Sequence, residues 1–171
     1  MMSQRMQDAF NEQIKNEFYS SYIYLSMAAW LDHGNLPGMA TWMRAQAQEE
    51  AVHAMKLFDH LLDRGAQPVL QPIPQPPVTF SGALEAFEQA HRHEQEVTRS
   101  INELYGLSLE ERDFAGRVLL DWFISEQVEE EKTSGLVVEQ LRMVGDDRLG
   151  LLLLDRELGQ RKAGAGDGAA D

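Results

Sequence analysis

Acidic side chains occupy positions of this 171-residue chain where the apolar spacing of long helices would ordinarily place Leu or Ala. Four helical segments show this pattern, and each carries a glutamate on its inner stripe. The inner-stripe residues with metal-binding or hydrogen-bonding chemistry are Glu17, Tyr24, Glu50, His53, Glu94, Gln127 and Glu130. Burial of an isolated carboxylate is costly, so several of them in one core require compensating cations. The pattern therefore predicts a metal site inside a helical bundle.

The spacing of Glu50 and His53 suits the binding of a single ion. Residues three apart project from the same face of a helix, so a carboxylate oxygen and an imidazole nitrogen can reach one ion. Gln127 and Glu130 repeat this spacing in another segment. A Glu-x-x-His pattern is weak evidence by itself. It gains weight here because it coincides with this second pair and with single glutamates at similar depth in the other two segments.

Two long helices are predicted in the first half of the chain. Gly and Pro are absent from residues 5–33, which favours one helix, and a second is expected from about Met39 to Arg64. Because the connection between them is short, the two helices should be antiparallel neighbours. Residues 66–80 hold five of the six prolines and therefore run extended, as a crossover long enough to span a bundle.

The second half of the chain predicts two more long helices and a short fifth one. Ser81 is a suitable cap for the third helix, and Gly106 is a suitable end. The sequence Ser108-Leu109-Glu110-Glu111 fits a capping box, which predicts the start of the fourth helix there. The expected fold is therefore an all-α four-helix bundle with a long crossover between the second and third helices. We expect one domain over residues 1–160 and a disordered tail over 161–171.

The composition argues against several classes of function. A formal net charge of −13 without a Lys/Arg cluster disfavours nucleic-acid binding, which needs a basic surface. No apolar run approaches the roughly 20 residues that span a bilayer. The N-terminus lacks the pattern of a secretory signal, so we expect a soluble, cytoplasmic protein. Cysteine is absent, and any metal must therefore bind to oxygen and imidazole ligands.

Three segments resemble bacterial non-haem ferritins, and the resemblance covers nearly the whole chain except its tail. These segments are NEFYSSYIYLSMAAW (16–30), QEEAVHA (48–54) and WFISEQVEEE (122–131). The resemblance implies a ferritin-like bundle with a short C-terminal fifth helix. It also implies iron storage, in which O2 or H2O2 oxidises Fe(II) at a di-iron ferroxidase centre within each subunit. Fe(III) would then be stored as an oxyhydroxide mineral inside a 24-subunit shell.

The same resemblance implies roles for the inner-stripe residues. One iron would be held by Glu17, Glu50 and His53, and the other by Glu50, Glu94 and Glu130, with Glu50 as the bridge. The two remaining inner-stripe residues would lie at the edge of this pair. Gln127 would be a hydrogen-bonding partner or a weak ligand, and Tyr24 would form a hydrogen bond there and could supply an electron.

A third iron position is also implied by the resemblance. Glu49, Glu126 and Glu129, together with Glu130, match it. These residues lie in acidic runs, and such runs are usually solvated faces. The sequence therefore leaves open whether they form a true third site or an acidic route to the cavity.

Related classes differ from this chain at particular positions. Bacterioferritins have a second Glu-x-x-His where this chain has Gln127 and Glu130, and they ligate haem through a Met at the position of Ala51, so no haem is expected. Two other readings remain open, a di-iron oxidase with an apolar substrate pocket and a metal-free bundle with dispensable glutamates. Four histidines are predicted to be surface or turn residues, namely His33, His60, His91 and His93. The leucine run 151–154 is expected to pack against the bundle or against other copies.

Overall fold

The computed structural model describes residues 2–162, and over this range the chain forms helices joined by turns and one extended segment. The helices are α1 (Gln4–His33), α2 (Pro37–Asp63), α3 (Ala83–Glu110), α4 (Phe114–Val144) and α5 (Arg148–Leu158). Helix α1 packs along α2, α3 packs along α4, and α1 also contacts α3. The prediction of an all-α four-helix bundle with a short C-terminal helix is confirmed. Within the described range, no helix is both long and apolar enough to cross a membrane.

The connections have the geometry that their residues favour. Asn35 adopts a positive φ of 61° in the turn between α1 and α2, and Pro37 opens α2, where its missing N–H is no loss. The crossover between α2 and α3 is extended, as its prolines require. Two hydrogen bonds attach it to α1. The Asn11 side chain accepts one from the Val69 amide (2.8 Å), and the Ser26 hydroxyl donates one to the Pro77 carbonyl (2.6 Å).

The predicted boundary between α3 and α4 is wrong. Helix α3 continues through Gly106 to Glu110, and the Ser108 hydroxyl donates to the Tyr105 carbonyl (2.6 Å) inside the helix instead of capping the next one. Helix α4 begins at Phe114 and is capped by Asp113, whose carboxylate accepts a hydrogen bond from the Gly116 amide (3.3 Å). Asp113 also forms an ion pair with Arg64 at the end of α2 (2.7 Å). This tertiary contact favours Asp113 over the local capping box.

The apolar core consists of two clusters. The Phe10 cluster lies where α1 and α4 begin and where α2 and α3 end, and its largest members include Phe10, Ile14, Leu57, Ile101 and Phe123. The Trp42 cluster lies at the opposite end of the bundle and includes Met27, Leu31, Trp42, Phe87 and Leu141. Between the two clusters, the inner stripe of each long helix carries buried polar residues. The bundle therefore has apolar ends and a polar middle layer.

Helix α5 packs against the start of α2. Asp155 is 4% exposed, and its carboxylate accepts a hydrogen bond from the Met39 amide (2.8 Å). Gly38 allows this close approach, because a Cβ at that position would lie 1.7 Å from the Asp155 carbonyl oxygen. Leu154 is buried against the bundle, as predicted for part of the leucine run, whereas the adjacent Leu153 is 55% exposed.

Candidate metal centre

The polar middle layer contains the glutamates that the sequence pattern singled out. Each long helix contributes from its midpoint, where the inner stripe passes between the two apolar clusters. The contributing residues are Glu17 from α1, Glu50 and His53 from α2, Glu94 from α3, and Gln127 and Glu130 from α4. All of them are at most 5% exposed. The helical spacing thus predicted correctly which side chains would meet in the core.

These side chains form two groups that share one residue. In the Glu17 cluster (Glu17, Glu50 and His53), one potential ligand atom from each residue lies within 4.8 Å of the others. The Glu94 cluster (Glu50, Glu94 and Glu130) meets the same criterion. Glu50 belongs to both clusters, so its carboxylate lies between two positions that could each hold an ion.

Several buried acceptor atoms in the Glu17 cluster have no hydrogen-bond partner. They are both carboxylate oxygens of Glu50, Oε2 of Glu17 and Nδ1 of His53. This Nδ1 atom lies 3.4 Å from Oε2 of Glu50. Buried polar atoms in native proteins are nearly always paired, because an unpaired one loses its interaction with water without replacement. These atoms have the chemistry and convergence that a divalent metal ion requires.

Three of the four buried glutamates accept hydrogen bonds from neutral donors. Gln13 donates through Nε2 to Oε1 of Glu17 (2.7 Å), and Gln46 donates to Oε2 of Glu130 (2.7 Å). Glu94 accepts hydrogen bonds from the Tyr24 hydroxyl at Oε1 and from Gln127 Nε2 at Oε2 (3.3 Å). Tyr24 and Gln127 therefore lie beside the clusters, where the sequence placed them. Gln13 was missed, although a polar residue one turn before Glu17 on the same stripe was the available signal.

Burial and mutual repulsion shift the pKa values of the four carboxyl groups upward. Desolvation is the largest cause in each case, and neighbouring glutamates add to it for Glu50, Glu94 and Glu130. The pKa is raised to about 7 for Glu94 and to about 8 for Glu130. The pKa of Glu50 lies well above its usual value, and that of Glu17 is raised as well. Without a metal, the centre therefore retains protons near neutral pH.

The residues expected at a third iron position are only partly brought together. Glu126 Oε1 lies 3.9 Å from Nε2 of His53. In the Glu126 cluster (Glu126, His53 and Glu130), one potential ligand atom from each residue again lies within 4.8 Å of the others. Glu49 instead forms an ion pair with Arg161 (2.7 Å). Glu129 is exposed and lies 3.8 Å from the Lys132 ammonium group. The clusters found among residues 2–162 do not include Glu49 or Glu129.

Arg161 comes from the segment that the sequence assigned to a disordered tail. Its guanidinium lies 4.5 Å from the centre of the Trp42 ring, and its side chain is 15% exposed. The segment after α5 thus contacts α2 through this residue. Residues 163–171, the remainder of the predicted tail, lie outside the described residues.

Three of the four histidines predicted at the surface or in turns are partly buried, so this prediction is wrong for them. His93 accepts or donates a hydrogen bond with the Ser20 hydroxyl (2.7 Å), and His91 does so with Ser134 (2.9 Å). His60 packs against the Phe10 ring, with 5.2 Å between the ring centres. Each of these histidines makes a packing contact or a hydrogen bond between two helices. His33 is exposed at the end of α1, as predicted.

Four helices with a shared carboxylate layer define the class of metal-binding four-helix bundles. Comparison with known families specifies the class further. Residues 7–144 match the family model described as a ferritin-like domain, and the chain belongs to this ferritin family. The match runs from residue 7, near the start of α1, to the end of α4 and includes the whole carboxylate layer.

Individual relatives resemble the chain over nearly its full length. A bacterial non-heme ferritin from Staphylococcus saprophyticus is 38% identical over 94% of this chain and 96% of its own. A probable bacterial non-heme ferritin-like protein from Haemophilus influenzae is 37% identical over 93% of this chain and 96% of its own. Among solved structures, an open-pore ferritin from Archaeoglobus fulgidus has a TM-score of 0.94 and 44% identity. It covers 95% of this chain and 99% of its own.

Proposed function

We propose that this chain is an iron-storage subunit that oxidises Fe(II) at the paired clusters in its bundle core. The observation that carries this proposal is the set of buried acceptor atoms without partners, which converge in the Glu17 cluster around Glu50. Iron is the substrate that fits these ligands, because carboxylates with one imidazole bind both the ferrous and the ferric ion. Membership of the ferritin family supports the same assignment.

Each iron position has its own ligands. One Fe(II) binds to Glu17, Glu50 and His53, and the other binds to Glu50, Glu94 and Glu130. Glu50 is the bridge because neither of its oxygens accepts a hydrogen bond from the protein, so both remain available to metal ions. Glu17 offers one oxygen only, because the other accepts a hydrogen bond from Gln13.

Two adjacent Fe(II) ions supply two electrons together. With H2O2, two Fe(II) and two protons give two Fe(III) and two water molecules, and with O2 the same two electrons and two protons give H2O2. Paired transfer avoids the release of a one-electron radical. Tyr24 and Gln127 act at the edge of the pair, where they hold the Glu94 carboxylate through its two oxygens. The Tyr24 hydroxyl keeps its proton, because burial and the neighbouring Glu94 raise its pKa.

Oxidised iron leaves through the side of the pair where Glu126 lies. The Glu126 cluster shares His53 and Glu130 with the two iron positions, so an ion can pass between sites without losing all its protein ligands. Glu129 extends the acidic surface outward from there. Glu49 joins this route when its ion pair with Arg161 opens.

The storage compartment in this proposal is a 24-subunit shell. Exposed apolar side chains on three parts of the surface supply contacts between copies of the chain. These include Tyr22 and Leu25 on α1, Val69 and Leu70 in the crossover, and Leu152 and Leu153 on α5. Association of copies would remove these apolar side chains from water, which favours assembly. Fe(III) accumulates as an oxyhydroxide mineral inside the shell.

Aerobic titration with Fe(II), followed by sizing of the particle, tests oxidation and assembly together. The wild-type protein is expected to oxidise about two Fe(II) per chain in a fast phase and to elute as a large shell. The Glu50→Ala and Glu130→Ala variants should lose the fast phase and retain the shell. If both variants oxidise iron at the wild-type rate, the proposed centre is wrong.

The two competing readings give different results in the same experiment. A metal-free interaction bundle predicts no fast phase in the wild type and a more stable protein in both variants. A di-iron oxidase predicts that an organic substrate is consumed along with O2. The cavity beside Gln127 measures about 300 Å³ and combines Ile101 and Ile124 with polar residues such as Asn102. No observation favours either reading over iron storage.

A further inference from the structure

We propose that Gln13 and Gln46 are positioning residues, and that each of them orients the carboxylate of a different iron position. Gln13 serves the Glu17 cluster, and Gln46 serves the Glu94 cluster through Glu130. This inference rests on the proposed function, because it assigns roles around the same two clusters. Neither glutamine is itself a ligand in the proposal, since each acts on the metal through a glutamate.

Gln13 determines which oxygen of Glu17 faces the metal position. Its Nε2 atom lies 2.7 Å from Oε1 of Glu17, and the two side chains are 2% and 1% exposed. Oε2 of Glu17 has no hydrogen-bond partner and belongs to the carboxylate that converges with Glu50 and His53. With Oε1 held by the amide, the carboxylate cannot rotate without breaking a buried hydrogen bond. Glu17 is thereby prepared as a ligand through one oxygen.

The orientation of the Gln13 amide is itself fixed. The Ser100 hydroxyl on α3 donates to Oε1 of Gln13, and the Asn16 side chain donates to the Ser100 oxygen (3.5 Å). The chain of donors runs in one direction, from Asn16 through Ser100 and Gln13 to Glu17. Its last acceptor is the Glu17 carboxylate, so this series of hydrogen bonds fixes the direction in which the Gln13 amide points.

Gln46 performs the corresponding task across the bundle. It lies one turn before Glu50 on α2, but it donates to Oε2 of Glu130 on α4 (2.7 Å). Gln46 is fully buried, and its own carbonyl oxygen has no hydrogen-bond partner. A buried amide with one unsatisfied end is a poor choice for packing alone. The one hydrogen bond that its side chain donates fixes the Glu130 carboxylate.

The two glutamines give a test in which each variant is the control for the other. Anaerobic titration of the assembled protein with Co(II), followed by visible absorption and calorimetry, measures the two binding events separately. The Glu17→Ala and Glu94→Ala variants identify which event belongs to which cluster. Loss of a residue that orients a metal ligand typically lowers metal affinity about 10–100-fold.

Gln13→Leu is therefore expected to weaken Co(II) binding at the Glu17 cluster (the Glu17 event) about 10–100-fold. Co(II) binding at the Glu94 cluster (the Glu94 event) should stay within about twofold of the wild type. Gln46→Leu should produce the reverse pattern. Gln48→Leu, an exposed position on α2 close to Glu50, should change neither event. A purely structural role would weaken both events together, or neither, and would move them in parallel with thermal stability.

Ser100→Ala keeps the test informative if Gln13→Leu fails to assemble. Without the Ser100 donor the Gln13 amide is free to turn, so the Glu17 event alone should weaken, by less than in Gln13→Leu. The inference is overturned if the wild type binds two Co(II) per chain and these variants do so with unchanged affinities. If the wild type binds no Co(II), the proposed iron centre fails, and the inference fails with it.

Discussion

The middle and the ends of this bundle follow opposite rules. In the Phe10 and Trp42 clusters, the inner stripes carry Phe, Leu, Ile and Met, and burial of their apolar surface stabilises the fold. In the layer between them, the same stripes carry carboxyl groups at most 5% exposed. Burial of those groups destabilises the metal-free fold, because their charge loses its hydration and faces other carboxylates. Apolar burial at the two ends therefore offsets the destabilising burial of carboxyl groups in the middle.

This difference separates residues that hold the fold from residues that perform the chemistry. A substitution in an apolar end should lower stability and leave metal binding in place. A substitution in the polar middle should have the opposite outcome, with lost metal binding and a more stable metal-free protein.

Truncation of a large side chain at an apolar end is expected to have the largest effect. Phe87 is fully buried and packs against Trp42, with 5.1 Å between the ring centres. Phe87→Ala should lower the free energy of unfolding by about 3–5 kcal/mol, because it leaves a cavity and removes apolar burial. Chemical denaturation at fixed protein concentration measures this. Phe114→Ala, which removes a 67% exposed ring, should change stability by less than about 0.5 kcal/mol.

Removal of one carboxyl group from the polar middle should stabilise the metal-free protein. Glu50 is 1% exposed, and desolvation together with Glu94, Glu17 and Glu130 raises its pKa. Glu50→Gln should therefore increase the free energy of unfolding by on the order of 1–4 kcal/mol at pH 8 with a chelator present.

The same variant should no longer bind a metal pair. The exposed Glu96→Gln on α3 serves as its control and should change neither property measurably. A destabilised Glu50→Gln would show that the carboxylate has a structural role, which would contradict the contrast between middle and ends.

The metal-free protein should become less stable as the pH rises. In the folded chain, Glu94 holds its proton up to a pKa of about 7 and Glu130 up to about 8, whereas the usual value is 4.5. Between these limits the folded state binds more protons than the unfolded state, so the free energy of unfolding falls with increasing pH. The decrease is about 1.4 kcal/mol per pH unit for each proton retained.

Denaturation midpoints at pH 5, 7 and 9 measure this slope. Zn(II) should remove most of it, because metal binding displaces the protons and neutralises the carboxylates. A Glu94→Gln, Glu130→Gln double variant should show a flatter profile without metal. An unchanged slope in that variant would assign the pH dependence to groups elsewhere in the chain.

Arg161 at the edge of the middle layer should have the smallest effect. Its contacts with Glu49 and the Trp42 ring are partly exposed, so Arg161→Ala should lower the free energy of unfolding by about 1 kcal/mol. The exposed Arg156→Ala on α5 is the matched control. A much larger loss would mean that the segment after α5 contributes to the core of the bundle.

Periodicity was sufficient to predict the four long helices and the six polar residues at their midpoints. Glu17, Glu50 and Glu94 could be located because a carboxylate on an apolar stripe is a strong anomaly in a helical pattern. The extended crossover was equally clear, since proline removes the backbone donor that a helix requires. Both signals are local to one segment and need no knowledge of its neighbours.

The features that sequence could not provide depend on contacts between distant segments. Asp113 replaces Ser108 as the cap of α4 because Arg64, from another helix, pairs with it. Glu49 was expected beside a third iron, but Arg161 reaches it from a position 112 residues later. Gln46 lies one turn before Glu50 on α2, and only the three-dimensional arrangement shows that it donates to Glu130 rather than to its neighbour Glu50.

The two clusters that share Glu50 are electrically unequal. The Glu17 cluster offers two carboxylates and an imidazole, whereas the Glu94 cluster offers three carboxylates. A trivalent ion gains more from additional negative charge than a divalent ion does. In the proposed iron centre, an iron held by the Glu94 cluster would therefore have the lower reduction potential, and the iron beside the imidazole would retain the ferrous state longer. The single bridging carboxylate would then join two redox sites that differ in the ease of their oxidation.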